Sequence, residues 1–333
     1  MKNTLVLTML AAAMLTSLPA AAGDKKHTAA KAPQHSTKRS FDDATLSTLG
    51  RSSKPGSTTA TGSVQSWMST EVGDAWKQGY KGQGVNIKVI DDFGSTNRYS
   101  GNLGDGIKLL RHGEWTLKEA SMIAPSASVS KQDFNSGTRV SLSRGLNVLN
   151  LSYGMYAPAG YSATQIGWSA QEQSIISYAQ NGNAVISKAA GNDGIVVGGT
   201  NASGNVDYLN LALKGAQSAM YVGALNTNGS TAAPATLASY SNRAGSDVTV
   251  QNQFLVVGVE GHKTGLYGTS FAAPVITGYA AILGSKFTKS SATQITNQLL
   301  NTARQDTIQN YDPAVHGRGE ASITRALAPV TIQ

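Results

Sequence analysis

A chain of 333 residues, 40% hydrophobic and 14% charged, is long enough for one large domain with a deep core. It contains no cysteine, which excludes thiol nucleophiles, cysteine metal sites and disulfide staples. The formal charge of +8 is not a nucleic-acid footprint, because half of it sits in residues 23–66 (Lys25, Lys26, Lys31, Lys38, Arg39, Arg51 and Lys54 against Asp24, Asp42 and Asp43) and the remainder forms no basic stripe.

Residues 1–22 hold Lys2, an apolar run from Leu5 to Leu15 and then "SLPAAA", the pattern of a secretory signal cleaved after Ala22. The run is too short for a membrane span. The expectation is therefore a secreted or periplasmic protein of bacterial type, with no span. Residues 23–66, rich in Ser, Thr, Lys, Ala and Gly, read as a disordered basic tail or short propeptide. Phe41, Leu46, Leu49 and Val64 are too few large apolar side chains for a folded inhibitory domain. A segment around "SFDDATLSTL" could still lie as an extended strand beside "LSYG" (151–154).

From Trp67 to Gln333 short apolar runs alternate with helical stretches. "GVNIKVID" (84–91) predicts a strand, "GEWTLKEASMIA" (113–124) a helix and "ASVSKQDF" (127–134) a strand. A helical stretch near 138–145, the strand "NVLNLS" (147–152), a helix near 168–181 and the strand "NAVISKAAGN" (183–192) follow. The fold class this predicts is α/β, a mostly parallel central sheet with helices on both faces. Working residues in such sheets lie at the carboxyl ends of strands, here Asp91, "LSYG" and "AAGN" (189–192).

Further on, "YGTSFAAPVITGYAAIL" (267–283) sets Ser270 at the mouth of an apolar, small-residue helix. Such a serine is either an N-cap or a nucleophile, and a nucleophile needs a base, an orienting carboxylate and an oxyanion donor. Of five histidines, His27 and His35 fall in the tail, His262 in a polar loop and His316 among glycines. His112 alone precedes a credible helix, whose dipole favours the neutral imidazole of a base, and Gly113 permits a close neighbour. A surface hydrogen bond is the ordinary alternative for a loop histidine. Asp91, closing a strand expected in the middle of the sheet, is an ion-pair or capping residue, or the carboxylate that orients the base. Asn192 in "AAGNDG" is a turn former or an oxyanion donor.

Taken in order, "AWKQGYKGQGVNIKVID", "HGE", "IAPSASV", "NVLNLSYG", "VISKAAGND", "GTSFAAPVITGYAAIL" and "GRGEASITRALAP" resemble the subtilases, the subtilisin-like serine peptidases, over residues 67 to about 328. The resemblance implies a secreted serine endopeptidase with Ser270 as nucleophile and His112 as base and acid. Asp91 would be the orienting carboxylate, and Asn192 with the Ser270 amide the oxyanion hole. Ser152, Tyr153 and Gly154 would pair with the substrate backbone, and Ala190 and Gly191 would line the pocket beside the scissile bond. The implied partners are polypeptide substrates, with no nucleic acid, and the implied state is a monomer. No cofactor or metal is called for, and calcium is not indicated.

The chain departs from the family pattern in several places. Asp91-Asp92-Phe93 offers two acids, and His112-Gly113-Glu114-Trp115 puts an acid beside the base. The spacing between acid and base is short, the family's Ala-Pro-Gly is missing near "FLVVGVEG", and the tail is shorter than a folded pro-domain. Two alternatives therefore stand beside the peptidase. One is a catalytically inactive, subtilase-like secreted binding protein. The other is an α/β-hydrolase using Gly268-x-Ser270-x-Ala272 with Asp312 and His316, although "GHKTGLY" lacks the strand that such an elbow needs.

Overall fold

A computed structural model describes residues 37–40 and 62–333; the expected signal and most of the expected tail lie outside the described residues. The first half of the chain forms β1 (Thr37–Ser40), α1 (Thr70–Lys77), β2 (Asn86–Asp91), β3 (Tyr99–Gly101), β4 (Lys108–Leu110), α2 (His112–Ile123), β5 (Ser128–Asp133), β6 (Asn147–Leu151) and β7 (Tyr153–Pro158). The second half forms α3 (Ala170–Gln180), β8 (Val185–Ala189), β9 (Asn205–Asp207), α4 (Tyr208–Leu213), β10 (Ala219–Leu225), α5 (Val248–Gln253) and β11 (Phe254–Gly258). The helices α6 (Gly261–Thr264), α7 (Ala273–Lys286), α8 (Ala292–Asn301), α9 (Pro313–His316) and α10 (Ile323–Leu327) complete it.

Six strands pair in the order β11-β10-β8-β6-β2-β5, every pair parallel. The residues of β6, β8, β10 and β11 are buried throughout, as expected of a parallel sheet covered on both faces. Alternate residues feed opposite faces: Val148 joins one apolar cluster and Leu149 the other, as do Val222 and Tyr221. The parallel α/β reading is thus the observed architecture. Two of its strands, β10 and β11, were not placed by the sequence patterns. With β5 at the edge beside it, β2 is the second strand of the sheet rather than the middle one, still paired on both sides.

Helix α7 is buried from Ala273 to Ser285, so an apolar helix without a polar face runs through the core. Its small residues allow this. A Cβ at Gly278 would stand 2.4 Å from Ile123 Cγ2 on α2, so glycine sets how closely these two helices approach.

The helix expected near 138–145 does not form. Ser174 and Tyr178 of α3 take the Val140 backbone, its N–H donating to Ser174 Oγ (3.0 Å) and its carbonyl accepting from Tyr178 Oη (2.8 Å). The Asn147 amide accepts from Ser143 N (2.9 Å) and donates to the carbonyls of Ser143 (2.8 Å) and Gly145 (2.9 Å). Backbone groups a helix would pair internally are satisfied by side chains instead, which favours loop over helix.

A second sheet, β1-β7-β9, is antiparallel. Its strand β1 falls within the segment expected to be a disordered basic tail or short propeptide: Thr37–Ser40 is extended and pairs with β7 in the register Thr37↔Tyr156 to Ser40↔Tyr153. The expected strand around Ser40–Leu49 shares only Ser40 with it; residues 41–49 lie outside the described residues.

Candidate active site

The carboxyl end of β2 delivers Asp91, fully buried, and α2 opens with His112, 1% exposed. His112 Nδ1 lies 2.6 Å from Asp91 Oδ1. Two further donors converge on the same carboxylate: Thr116 Oγ1 donates to Oδ2 (2.8 Å) and Asp92 N to Oδ1 (2.6 Å). An ionised carboxylate can only accept, so Nδ1 carries the imidazole proton and the basic lone pair resides on Nε2. Gly113 makes the approach of α2 to β2 feasible, since a Cβ there would stand 2.8 Å from both Asp92 O and the Phe93 ring.

The neighbouring acids are occupied elsewhere. Asp92 Oδ1 accepts from Gly94 N (3.2 Å) and Ser95 N (2.8 Å), tying down the loop after β2. Glu114 turns to Arg111, accepting from its backbone N (2.8 Å) and its guanidinium (2.9 Å) at the amino end of α2. Partial burial favours the neutral Glu114 carboxyl, but these Arg111 bonds outweigh it and hold the pKa below the ordinary carboxylate value.

Ser270 lies in the single 3₁₀ turn Thr269–Phe271 that leads into α7. It is not the N-cap of that helix, a position held by Ala272. Its hydroxyl donates to the Ser152 carbonyl (3.2 Å), while Ser152 Oγ donates to the Ser270 carbonyl (2.9 Å). Asn150 of β6 braces this pair, donating to Ser152 Oγ (2.9 Å) and accepting from Thr277 Oγ1 of α7 (3.2 Å). The Phe271 ring packs against His112 with centroids 5.6 Å apart, so the serine turn and the histidine helix share one wall; Tyr99 closes another side edge-on at 5.9 Å.

The β8 strand runs out into Ala190, Gly191 and Asn192. Asn192 Oδ1 accepts from both Thr269 N (2.9 Å) and Thr269 Oγ1 (2.8 Å), which fixes the amide orientation. Its Nδ2 is buried without a hydrogen-bond partner among the described residues, a costly arrangement that leaves a donor beside the serine turn. Gly191 N donates to Thr269 Oγ1 (3.1 Å), and the Ala190 carbonyl accepts from Asn210 (3.1 Å) and Asn242 (3.0 Å). Tyr153 and Gly154 begin β7, where Ser40 and Arg39 of β1 oppose them.

All nine expected site residues therefore meet where β2, β6 and β8 end. Two further contributors were missed. Thr116 lies one helical turn from His112, a spacing that sets both on one face, and Thr269 stands inside the "GTS" motif itself. The remaining described histidines are elsewhere: His262 is exposed near Glu260, and His316 stacks on Tyr311 with its Nδ1 at the Asp312 backbone. Asp312 caps α9, and no strand leads into Ser270, so the α/β-hydrolase alternative has neither its elbow nor its partners.

The family model Peptidase_S8, described as the subtilase family, matches residues 99–319; His112, Asn192 and Ser270 lie within that span and Asp91 just upstream. No curated protein matches the chain. Among solved structures it is similar to the prenylagaramide maturation protease PagA, at 20% identity and a TM-score of 0.50, over 77% of this chain and 96% of that one. A lanthipeptide protease is similar at 19% identity and a TM-score of 0.50, over 78% of this chain and 93% of that one. These likenesses are of fold, and they agree with the sheet described above. The family match covers most of the chain, which therefore belongs to the subtilase family of serine peptidases.

Proposed function

We propose that the chain is an exported, monomeric endopeptidase that hydrolyses polypeptides through an Asp91-His112-Ser270 triad and an acyl-enzyme intermediate. The observation that carries this reading is the buried 2.6 Å contact between His112 Nδ1 and Asp91. In the reaction His112 Nε2 takes the Ser270 proton as Oγ attacks the scissile carbonyl, then gives that proton to the leaving amine. Water reverses the sequence to release the acid. Asp91 stays ionised and stabilises the imidazolium.

The oxyanion of the tetrahedral intermediate is received by Asn192 Nδ2 and the Ser270 N–H. The buried Nδ2 without a partner supports this role, because a donor held ready costs nothing to reorganise when charge develops. Ser152, Tyr153 and Gly154 form the edge on which the substrate backbone lies, and Ala190 and Gly191 line the pocket beside the scissile bond. The antiparallel pairing of β1 along β7 supports an edge that accepts extended peptide. Export rests on the amino-terminal signal pattern.

Purified protein is expected to degrade casein, and Ser270→Ala to abolish this while unfolding at the same temperature. Unchanged proteolysis by a folded, contaminant-free Ser270→Ala protein contradicts the assignment.

A further inference from the structure

Strand β1 does more than satisfy a sheet edge. Lys38 turns inward, and its Nζ donates to the Phe134 carbonyl and lies 2.8 Å from Glu172 Oε1. The Lys38 side chain is 12% exposed and that of Glu172 is fully buried. The flanking residues Thr37 and Arg39 are exposed, so Lys38 is the residue this face selects.

Glu172 sits in the first turn of α3, fixed by neutral donors: Ser169 Oγ on Oε2, with Tyr153 Oη (3.2 Å) and Gln171 Nε2 (3.4 Å) on Oε1. None of these supplies a positive charge. A carboxylate buried this completely is costly unless a cation meets it, and the cation here comes from a segment laid on the β7 edge. A norleucine would fill the same stem but bring no charge, leaving Glu172 with its neutral donors alone and the Phe134 carbonyl with Gln171 Nε2 (3.1 Å).

The register says where this pocket lies relative to the chemistry. Lys38 opposes Met155 and Ser40 opposes Tyr153, so in any peptide bound the same way the third residue after the lysine opposes Ser152. The Ser152 carbonyl is where the Ser270 hydroxyl rests, so that third residue presents its carbonyl to Ser270.

We infer that Glu172 and the Phe134 carbonyl form a lysine-binding subsite, which selects peptides carrying lysine at the fourth position before the bond that is cut. This rests on the peptidase reading above. Glu172 is then a specificity-determining residue.

The test uses the full chain and coumarin amides of acetyl-Lys-Arg-Ser-Phe, with norleucine or glutamate replacing the lysine in parallel peptides. β1 competes equally with each. The lysine peptide is expected to exceed the norleucine peptide in kcat/KM by about 10–100-fold, the scale of a lost charge-assisted hydrogen bond. The glutamate peptide should be poorer still. In Glu172→Gln the lysine-to-norleucine ratio is expected to fall to near one. Equal rates for lysine and norleucine in the unaltered chain, or a ratio that survives Glu172→Gln, overturn the subsite. Should no coumarin be released at all, the peptidase reading fails separately. The subsite is then decided by calorimetric binding of the same peptides, as free amides, to full-chain Ser270→Ala: lysine must bind tightest, and equal affinities refute it.

Discussion

Two carboxylates at the same helix, Asp91 against its first turn and Glu119 two turns further along it, are buried almost alike and differ in the hydrogen bonds they receive. Asp91 receives His112 Nδ1, the Thr116 hydroxyl and the Asp92 N–H. Glu119 Oε2 has no hydrogen-bond partner among the described residues, and burial pushes the pKa of its carboxyl well above the ordinary value. Burial alone disfavours the charged form of an acid, whereas donors converging on a buried carboxyl fix its oxygens in place. The donors at Asp91 come from a strand end and a helix start that Gly113 lets nearly touch. Glu119 lies along the helix, where backbone donors are already used by the helix itself.

The largest expected effect removes charge from the first of the pair. Asp91→Asn should lower kcat by about 10⁴-fold, because an amide favours the wrong imidazole tautomer. Asp92→Asn, on a residue whose Oδ1 serves the backbone of the following loop, should cost far less. Steady-state kinetics of both variants decide between them, and a crippled Asp92→Asn beside an active Asp91→Asn would move the role by one residue.

Next in size is the donor side. Asn192→Ala should reduce kcat by about 10²–10³-fold with little change in KM, a magnitude established within this same family. A loss confined to KM would make Asn192 a turn residue that merely anchors Thr269.

The contrast with Glu119 is sharpened by pH rather than by rate. Its folded pKa is raised, so the stability it lends is fully present below its ordinary value of 4.5 and is lost as pH rises towards the folded pKa. Over that window Glu119→Gln should gain on the unaltered chain by about 1.4 kcal/mol per pH unit, as followed by urea unfolding. Parallel stability curves would mean that Glu119 is ionised in the fold.

The smallest effect concerns the tail. A chain beginning at Val64 behind a signal sequence is expected to fold and to cleave casein at least as fast as the full chain, since β1 then no longer covers the β7 edge. An insoluble product rescued by adding residues 23–66 as a separate peptide would make the tail a folding catalyst.

Much of this was legible in the residues. Asp91 closes β2 and His112 opens α2, while Asn192 follows β8 and Ser270 sits in the turn before α7, all of them places where side chains stand outside the regular hydrogen-bond ladders. Thr116 was legible too, from its helical spacing to His112. The loop at 138–145 was not, because its backbone is held by Ser174, Tyr178 and Asn147, partners the local pattern does not announce. Lys38 looked like one more charge in a polar tail, and Glu172 like an ordinary first-turn acid of α3. Only the register of β1 on β7 brings the two together across more than a hundred residues. Such pairings are decided by tertiary fit, which composition and periodicity do not carry.

An activated nucleophile at Ser270 should be labelled covalently by a fluorophosphonate. One phosphonyl adduct per chain is expected, mapped by mass spectrometry to Ser270, absent in Ser270→Ala and formed much more slowly in His112→Ala. No adduct on the folded protein, or an adduct on another serine such as Ser152, would contradict it.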